Sequence, residues 1–195
     1  MKKRMVSLLL ACCLVLALLP TMASALDMNA VPTLLYVGDT NVIGGGYWKT
    51  TADGGLTKDG ASESDYNVAY TAGTRILTLK DANIEKYTWS RYGVVGYINQ
   101  AGIWAGIHTD GSLVIDLIGE NTIDLTGAGT LDADCAAIAL GQEYQWLTFR
   151  GDGNLTATSG KTSGNSFGVL ATASVTMSGT GTVTLLGGEC GYNKV

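Results

Sequence analysis

The stretch Gly119-Glu120-Asn121-Thr122-Ile123-Asp124-Leu125 recurs twice along the chain, first as Gly151-Asp152-Gly153-Asn154-Leu155-Thr156-Ala157 and then as Gly179-Thr180-Gly181-Thr182-Val183-Thr184-Leu185. Each copy begins with glycine, continues through two polar or glycine residues to Asn or Thr, and ends in an alternation of apolar and polar residues. The three glycines are 32 and 28 residues apart. A unit that recurs at this spacing is the signature of a repeat architecture.

Two further elements accompany each copy of this motif. Three triplets of similar sequence end in Ile107, Ile138 and Val169, and each of these residues lies 31 positions after the one before it. Between these triplets and the glycine motif run the apolar segments 113–117, 147–150 and 175–177. Each period thus holds three short β segments and three turns, which is the composition of one coil of a parallel β-helix. We predict an all-β fold, a right-handed parallel β-helix of about three to four coils.

The alternation of residues predicts which side chains face the axis of the coils. A single coil cannot bury them, whereas stacked coils align equivalent residues into one continuous core. A β-sandwich is the alternative fold, and it is disfavoured because the apolar runs recur in register by coil instead of pairing through hairpins. The predicted inward set is Leu113, Ile115, Leu117, Ile123, Leu125, Leu147, Phe149, Leu155, Val175, Met177, Val183 and Leu185.

The residues before the repeats follow a different pattern. Segments 33–37 and 41–43 flank a Gly-Asp-Thr turn, and segments 67–70 and 75–80 flank Thr-Ala-Gly-Thr, which predicts two β-hairpins; residues 51–65 read as a loop. We expect residues 26–74 to form an N-terminal β-hairpin cap and residues 75–195 to form the β-helix repeats. No capping sequence follows the last repeat, which leaves open that the repeats are truncated at the C-terminus.

The first 25 residues have the pattern of a secretory signal peptide. Lys2-Lys3-Arg4 precedes an apolar run over residues 5–19, and Ala23-Ser24-Ala25 is a small-residue cleavage site. The apolar run is shorter than the roughly 20 residues of a spanning helix, which disfavours an uncleaved anchor. We therefore expect a secreted or cell-surface protein that is not an integral membrane protein.

Removal of the leader leaves nine of the 12 basic residues against 17 acidic ones, a net charge of −8. Such a charge disfavours nucleic acid and anionic lipid as partners. Cys135 and Cys190 also remain; free thiols are favoured over a single bridge, but the sequence leaves this open. The single histidine, His108, falls in a predicted turn, and no Cys-x-x-Cys is present, so no metal site of the zinc type is expected.

Residues 36–42 (YVGDTNV), 76–84 (ILTLKDANI) and 113–123 (LVIDLIGENTI) carry a resemblance to a known family. They resemble secreted and cell-surface right-handed parallel β-helix repeat proteins of Gram-positive bacteria, which are carbohydrate-binding or pectate-lyase-like. The resemblance covers roughly residues 33–188. Its motifs are specific for the architecture, but they are a weak indication of any activity. It implies a polysaccharide or a cell-surface glycan as the partner.

Catalysis of the β-helix lyase type needs clustered carboxylates, often with calcium, and a basic residue. Asp116 and Arg150 occupy equivalent places on consecutive coils, and Asp124 lies on the same coil as Asp116. These three are the candidate catalytic residues, and a plain surface ion pair is the favoured reading of Asp116 with Arg150. No cofactor is expected, with calcium in the Asp-containing turns as an additional candidate.

Aromatic side chains give a stronger indication of sugar binding, because pyranose rings stack on flat side chains. They crowd the span 47–104 and recur in a later turn; the alternative is that they pack the cap and an inserted loop. The candidate ligand-binding residues are Trp89, Tyr92, Tyr97, Trp104 and Trp146. The sequence favours an exported, non-catalytic domain that binds glycans or partner proteins or serves as a stalk. A β-helix polysaccharide lyase or glycosidase is the alternative.

Overall fold

The computed structural model describes residues 30–90, 102–141 and 144–190. Apart from one turn of 3-10 helix at Thr126–Ala128, every regular element within these ranges is a β-strand. The strands are short and rich in β-branched and aliphatic residues, with glycine in many of the turns between them. The predicted all-β class is confirmed.

The N-terminal part contributes five strands, each antiparallel to its partners. They are β1 (Leu35–Val37), β2 (Thr40–Asn41), β3 (Gly46–Thr50), β4 (Leu56–Thr57) and β5 (Val68–Tyr70). β1 pairs with β2 and β5 pairs with β6 (Ile76–Lys80), so both predicted hairpins are confirmed. The expectation of a loop over residues 51–65 is wrong in part, because β4 lies there and pairs with β3.

The strands that follow recur with the predicted period. After β6 come β7 (Asn83–Ile84) and β8 (Thr88–Ser90), and the first complete repeat holds β9 (Ile103–Thr109), β10 (Leu113–Ile118) and β11 (Glu120–Asp124). The second repeat holds β12 (Thr130–Leu131), β13 (Asp134–Leu140), β14 (Leu147–Gly151) and β15 (Asn154–Thr158). The third holds β16 (Lys161–Thr162), β17 (Ser166–Leu170), β18 (Val175–Met177) and β19 (Val183–Leu186).

Strands at equivalent positions of successive repeats pair in parallel. One sheet contains β9, β13 and β17, a second contains β6, β10, β14 and β18, and a third contains β7, β11, β15 and β19. A smaller parallel pair joins β12 to β16. Parallel strands need long connections, and here each connection is the rest of a repeat.

The register of these sheets places the predicted inward residues in columns. Leu113 lies beside Leu147, and Leu147 lies beside Val175; Ile115, Phe149 and Met177 form the next column in the same sheet. All inward residues predicted for the first two repeats are at most 1% exposed. Each fully buried aliphatic side chain contributes roughly 1.5–3 kcal/mol to folding. The columns therefore account for the main core of the chain.

The inward residues of the third repeat differ from this pattern. Val175 is 42% exposed and Met177 is 45% exposed, although both continue columns that are buried in the preceding repeats. Val183 and Leu185 are half-buried. Within residues 30–90, 102–141 and 144–190, β17, β18 and β19 are each the last strand of their sheet, so these side chains have strand neighbours on one side alone.

The N-terminal strands cover the opposite side of the repeats. β5 pairs antiparallel with the outer edge of β6, and β3 continues that sheet beyond β5. β1 and β8 pair antiparallel with different parts of the same edge of β9. Trp48, on β3, is 3% exposed and packs in the main core, although the sequence pattern did not mark it as a core residue. The domain boundary at residues 74–75 stays a prediction.

The repeated glycines serve close packing more than a common backbone conformation. Gly119 and Gly151 have φ values of +67° and +99°, which favour glycine. Gly179 has no such φ, but a side chain there would collide with the backbone of Gly151, its counterpart one repeat earlier. The predicted role of these glycines in tight bends therefore holds for two of the three positions.

His108 lies within β9 and not in a turn, contrary to expectation. It is 1% exposed, and its ring nitrogens have no hydrogen-bond partner among the described residues. Burial lowers the pKa of His108 from 6.5 to about 4, against a smaller opposing effect of Asp110. The imidazole is therefore neutral in the folded chain at neutral pH, which costs less than burying a charge.

We expect this histidine to make the chain less stable as the pH falls from 6.5 towards 4. In that window the unfolded imidazole binds a proton and the folded one does not, so up to about 3 kcal/mol of stability is lost. Urea unfolding of the wild type and of His108→Leu across this range measures the difference, because the other titrating groups are common to both proteins. An imidazole that titrates near 6.5 in the folded protein by NMR would contradict the expectation.

The two isoleucines of β10 provide a matched test of the inward columns. Ile115 is 0% exposed and Ile118 is 38% exposed. We expect Ile115→Ala to lower the free energy of unfolding by about 2–5 kcal/mol, because it leaves a cavity between the repeats. Ile118→Ala, the same change at the exposed position, should cost less than about 1 kcal/mol. Equal losses for the two variants would show that the columns are not the main source of stability.

Candidate functional site

Asp116 and Arg150 lie side by side, as their positions on consecutive repeats predicted. They are register partners on β10 and β14, and Arg150 Nη2 donates to Asp116 Oδ2 at 2.9 Å. Their side chains are 29% and 41% exposed, so the pair is partly solvated. Such pairs contribute about 0–1 kcal/mol. The geometry is that of a surface ion pair, and the catalytic role of these two residues stays a prediction.

Asp124, the third candidate, lies apart from this pair on β11, which belongs to another sheet. Its Oδ1 accepts hydrogen bonds from the backbone N–H of Thr126 at 2.9 Å and from the Thr126 hydroxyl at 2.6 Å. These bonds stabilise the turn that follows β11. Asp124 also lines an open pocket, which gives its carboxylate access to solutes.

This pocket has a volume of about 510 Å³ and is strongly acidic. Its wall combines residues from two turns of the N-terminal part with residues that follow β7 and with the end of β11. The charged and aromatic lining residues are Asp39, Asp53, Glu85, Lys86, Tyr87 and Asp124. Four carboxylates thus face a single ammonium group, and the pocket carries a net negative field that favours neutral or cationic solutes.

Lys86 is paired with one of these carboxylates. Its Nζ lies 3.0 Å from Asp53 Oδ2, and the Thr51 hydroxyl donates to Asp53 Oδ1 at 2.6 Å. The hydrogen bond from Thr51, followed by that from Lys86, lowers the pKa of Asp53 to about 2, and Asp53 raises the pKa of Lys86. Glu85 accepts a hydrogen bond from Asn83 Nδ2 at 2.8 Å. Lys86 thus forms its ion pair with Asp53, while Asp39 and Glu85 raise the pKa of Lys86 through weaker electrostatic attraction.

Three aromatic rings are clustered beside the pocket. The rings of Trp89 and Trp104 lie 4.8 Å apart between centroids, and Tyr87 meets Trp104 edge-on at 5.4 Å. Trp89 is 39% exposed, whereas Tyr87 and Trp104 pack against the main core. Trp104 is held by a 3.1 Å hydrogen bond from its Nε1 to Asp132 Oδ1. The Trp89 indole is therefore exposed, whereas the rings of Tyr87 and Trp104 beside it are held by the core and by the hydrogen bond to Asp132.

The pairing of β8 with β9 brings the two indoles together. Trp89 and Trp104 are register partners in this antiparallel pair, so their side chains lie on the same face. Gly102 allows this approach: its φ is +101°, and a side chain there would overlap the Trp89 ring. The sequence pattern did not single out Gly102, because its role depends on a contact between strands.

Tyr87 joins the aromatic cluster to the acidic pocket, since it lines the pocket and contacts Trp104. We call the combined surface the Tyr87 site, defined as Tyr87, Trp89 and Trp104 together with the acidic pocket. Of the predicted site residues it includes Trp89, Trp104 and Asp124. Sequence reasoning missed Asp39, Asp53 and Glu85, because no local motif connects these acidic residues with one another.

The other predicted aromatic residues lie elsewhere. Trp146 precedes β14, and its ring lies under the Arg75 guanidinium, 5.8 Å from the ring centroid. This cation–π contact belongs to a different corner of the repeats. Tyr92 and Tyr97 fall outside the described residues, so their predicted role stays a prediction. Of the three candidates that the structure describes, Trp89 and Trp104 meet in the Tyr87 site and Trp146 lies apart from them.

The aspartates of the glycine-rich turns bind protein groups. Asp110 Oδ1 accepts the backbone N–H groups of Thr33 and Leu34 at 2.8 Å, and Asp134 Oδ1 accepts that of Asn165 at 2.7 Å. These bonds connect segments that are distant in the sequence. Within residues 30–90, 102–141 and 144–190, no group of three or more His, Cys, Asp or Glu side chains is placed to hold a metal ion. Calcium binding in the Asp-containing turns stays a prediction.

Both cysteines of the described ranges are free thiols. Cys135 is buried and Cys190 is exposed. Burial raises the pKa of the Cys135 thiol, with smaller opposing effects from Ser159 and Gly160. A buried thiol of this kind is a poor nucleophile, because the thiolate is the reactive form.

Comparison with protein-family models, with curated proteins and with solved structures gave no match. In the part of the chain that the structure describes, no helix has the length and apolar character needed to cross a membrane.

Replacement of Gly102 tests how the indole pair is held. We expect Gly102→Ala to displace the Trp89 ring and to abolish the exciton couplet of the two indoles in circular dichroism. Gly73→Ala is the matched control, because Gly73 also has a positive φ of +74° but has no neighbouring atom within 4 Å. The control should cost about 1 kcal/mol of stability and leave the couplet unchanged. A couplet that persists in Gly102→Ala would contradict this account of the pair.

Proposed function

We propose that the chain is an exported, non-catalytic protein that binds glycans at the Tyr87 site, on a right-handed parallel β-helix. The observation that carries the proposal is the exposed indole of Trp89, which lies tilted at 52° against Trp104 beside a solvent-accessible pocket of carboxylates. Sites for small polar ligands typically combine flat apolar surface with a few convergent polar groups. The Tyr87 site has both.

The β-helix is supported by the regular progression of the three parallel sheets. Each repeat contributes one strand to every sheet, and the contributions follow the same order in each repeat. A chain that winds repeatedly through the three sheets in sequence would give this order with short connections. Export is supported by the basic residues, apolar run and small-residue cleavage site at the start of the chain.

Glycan binding is supported by the chemistry of the Tyr87 site. The apolar face of a pyranose ring stacks on an aromatic ring, and Trp89 exposes 39% of its surface for such a contact. Sugar hydroxyls are hydrogen-bond donors, and ionised carboxylates accept up to about four hydrogen bonds each. The carboxylates of Glu85 and Asp124 border the same pocket as Tyr87, so stacking and hydrogen bonding are available to one ligand.

The charge of the pocket indicates which class of glycan we expect to bind. Four carboxylates and one ammonium group line it, and that ammonium group is paired with Asp53. Repulsion disfavours polyuronates such as pectate, whereas neutral hexoses and amino sugars meet no such penalty. We therefore propose a neutral or amino-sugar polysaccharide as the ligand.

A glycan array probed with residues 26–195, with and without calcium, tests the proposal. We expect binding to neutral or amino-sugar glycans, weak binding to polyuronates, and no effect of calcium. Trp89→Ala should weaken binding at least about tenfold, which is the loss of about 1.4 kcal/mol at a central aromatic contact. Isothermal titration with the best ligand measures the loss.

The control is Tyr47→Ala. Tyr47 is 36% exposed and contacts a second aromatic ring, that of Tyr66, at 5.4 Å, but it lies on β3 in another sheet. It should leave the affinity unchanged. An array without any bound glycan, or equal losses for the two variants, would refute the proposal. Formation of unsaturated, ultraviolet-absorbing products from a bound polysaccharide would instead show a lyase.

A further inference from the structure

The outer face of the third sheet adjoins the acidic pocket of the Tyr87 site. Asp124, the last residue of β11, lines this pocket, and so does Glu85, which directly follows β7. Side chains alternate between the two faces of a strand, and Ile123 and Leu155 are buried, so their neighbours on β11 and β15 point outward. We call the outward side chains of β7, β11 and β15 the Thr156 face: Asn83, Glu120, Thr122, Asp124, Asn154, Thr156 and Thr158.

The Thr156 face is polar throughout and open to solvent. Its members carry amides, hydroxyls or carboxylates, and each is exposed or half-buried. Strand formation does not require this composition, because apolar β-branched residues also favour strands. On the second sheet, Val114 and Ile118 of β10 point outward, and Ile118 is 38% exposed. The Thr156 face differs from that surface because it offers a hydrogen-bonding group at every outward position.

Hydrogen bonds connect the Thr156 face to the wall of the pocket. Thr122 Oγ1 donates to Asn83 Oδ1 at 2.5 Å, and Asn83 Nδ2 donates to Glu85 Oε1 at 2.8 Å. On the adjacent strand, Thr158 is the register partner of Asp124. A ligand chain that leaves the pocket over β11 and β15 therefore meets polar groups without interruption.

Two hydroxyl groups of the Thr156 face are available to a ligand. The side chains of Glu120 and Asn154 are occupied, since Asn154 Nδ2 donates to Glu120 Oε1 at 2.6 Å and Asn154 Oδ1 accepts the backbone N–H of Thr182. Across residues 30–90, 102–141 and 144–190, the side chains of Thr156 and Thr158 have no hydrogen-bond partner. A hydroxyl both donates and accepts hydrogen bonds, as the hydroxyls of a sugar do.

The spacing of the strands suits an extended glycan. Asn83, Thr122 and Thr156 are successive register partners on β7, β11 and β15, so they form one row across the sheet. Neighbouring strands lie about 4.7–4.9 Å apart, which is close to the length of one pyranose unit in an extended chain. A glycan that crosses the strands can thus place one unit over each strand. The row itself carries no charge, so a neutral chain meets no electrostatic penalty there.

We propose that the glycan held at the Tyr87 site continues across the Thr156 face, where the hydroxyls of Thr156 and Thr158 bind units beyond the one in the pocket. This inference rests on the proposed function and adds the form of the ligand. The ligand is an extended chain of at least about three units, because β11 and β15 add about two positions to that of the pocket.

Isothermal titration of residues 26–195 with oligosaccharides of increasing length tests this proposal. The probes are cello-oligosaccharides, which are neutral, and glucosamine oligosaccharides, each of about two to six units. We expect the affinity for one series to rise at least about tenfold between the disaccharide and the tetrasaccharide. Longer chains should gain little more, because their additional units lie beyond the Thr156 face.

The double variant Thr156→Val with Thr158→Val separates the Thr156 face from the pocket. Valine keeps the β-branched shape and removes the hydroxyl, so strand formation is preserved. We expect the double variant to lose the gain from chain length, about tenfold, and to bind the disaccharide as the wild type does. The matched control is Thr78→Val on β6, an outward threonine of the second sheet. It should change neither affinity, and circular dichroism of each variant verifies that it is folded.

Three results would overturn the proposal. If the affinity does not increase with chain length, or if the increase persists in the double variant, the glycan does not extend across the Thr156 face, and the Tyr87 site stands alone. If Trp89→Ala keeps the full affinity for the tetrasaccharide and the double variant loses it, the Thr156 face is a separate glycan site and the proposed function is contradicted as well. Absence of binding to either series overturns the extension, and a glycan array that is also blank overturns the proposed function with it.

Discussion

The register between successive repeats is the constraint on which the rest of the structure depends. Side chains on a strand alternate between two faces, so a shift of one residue would turn every inward side chain of a repeat outward. The column of Leu113, Leu147 and Val175 and the column of Ile115, Phe149 and Met177 exist only in the observed register. Burial of these columns therefore determines the alignment of β10, β14 and β18 in their sheet.

Polar side chains reinforce the same register at the corners. Asn121 is 2% exposed; its Oδ1 accepts the backbone N–H of Ala82, and its Nδ2 donates to the carbonyl of Asn154. One buried side chain thus links three consecutive turns, and its hydrogen bonds offset the cost of burying an amide. Asn154 continues the link, since its Oδ1 accepts the backbone N–H of Thr182. The outward side chains of Asp116 and Arg150 take no part in these hydrogen bonds.

The Tyr87 site combines two kinds of surface. It gathers carboxylates around a single lysine and places them beside exposed aromatic surface. The carboxylates accept hydrogen bonds and the aromatic rings offer an apolar contact, so a polar ligand with one apolar face can use both.

The amino-acid sequence by itself determined the all-β class, the repeat period, the inward residues and the two N-terminal hairpins, because these depend on local alternation and on turn residues. It also placed Asp116 beside Arg150, since equivalent positions of consecutive repeats become neighbours. The tertiary structure alone decided the composition of the Tyr87 site. Asp39, Asp53, Glu85 and Asp124 come from four separate segments, and the contact of Trp89 with Trp104 depends on the antiparallel pairing of β8 with β9. Burial of His108 likewise follows from neighbours that are distant in the sequence, as Tyr36 and Ala139 are its register partners. Periodicity determines which face of a strand a side chain occupies, whereas the packing of strands determines what that side chain meets.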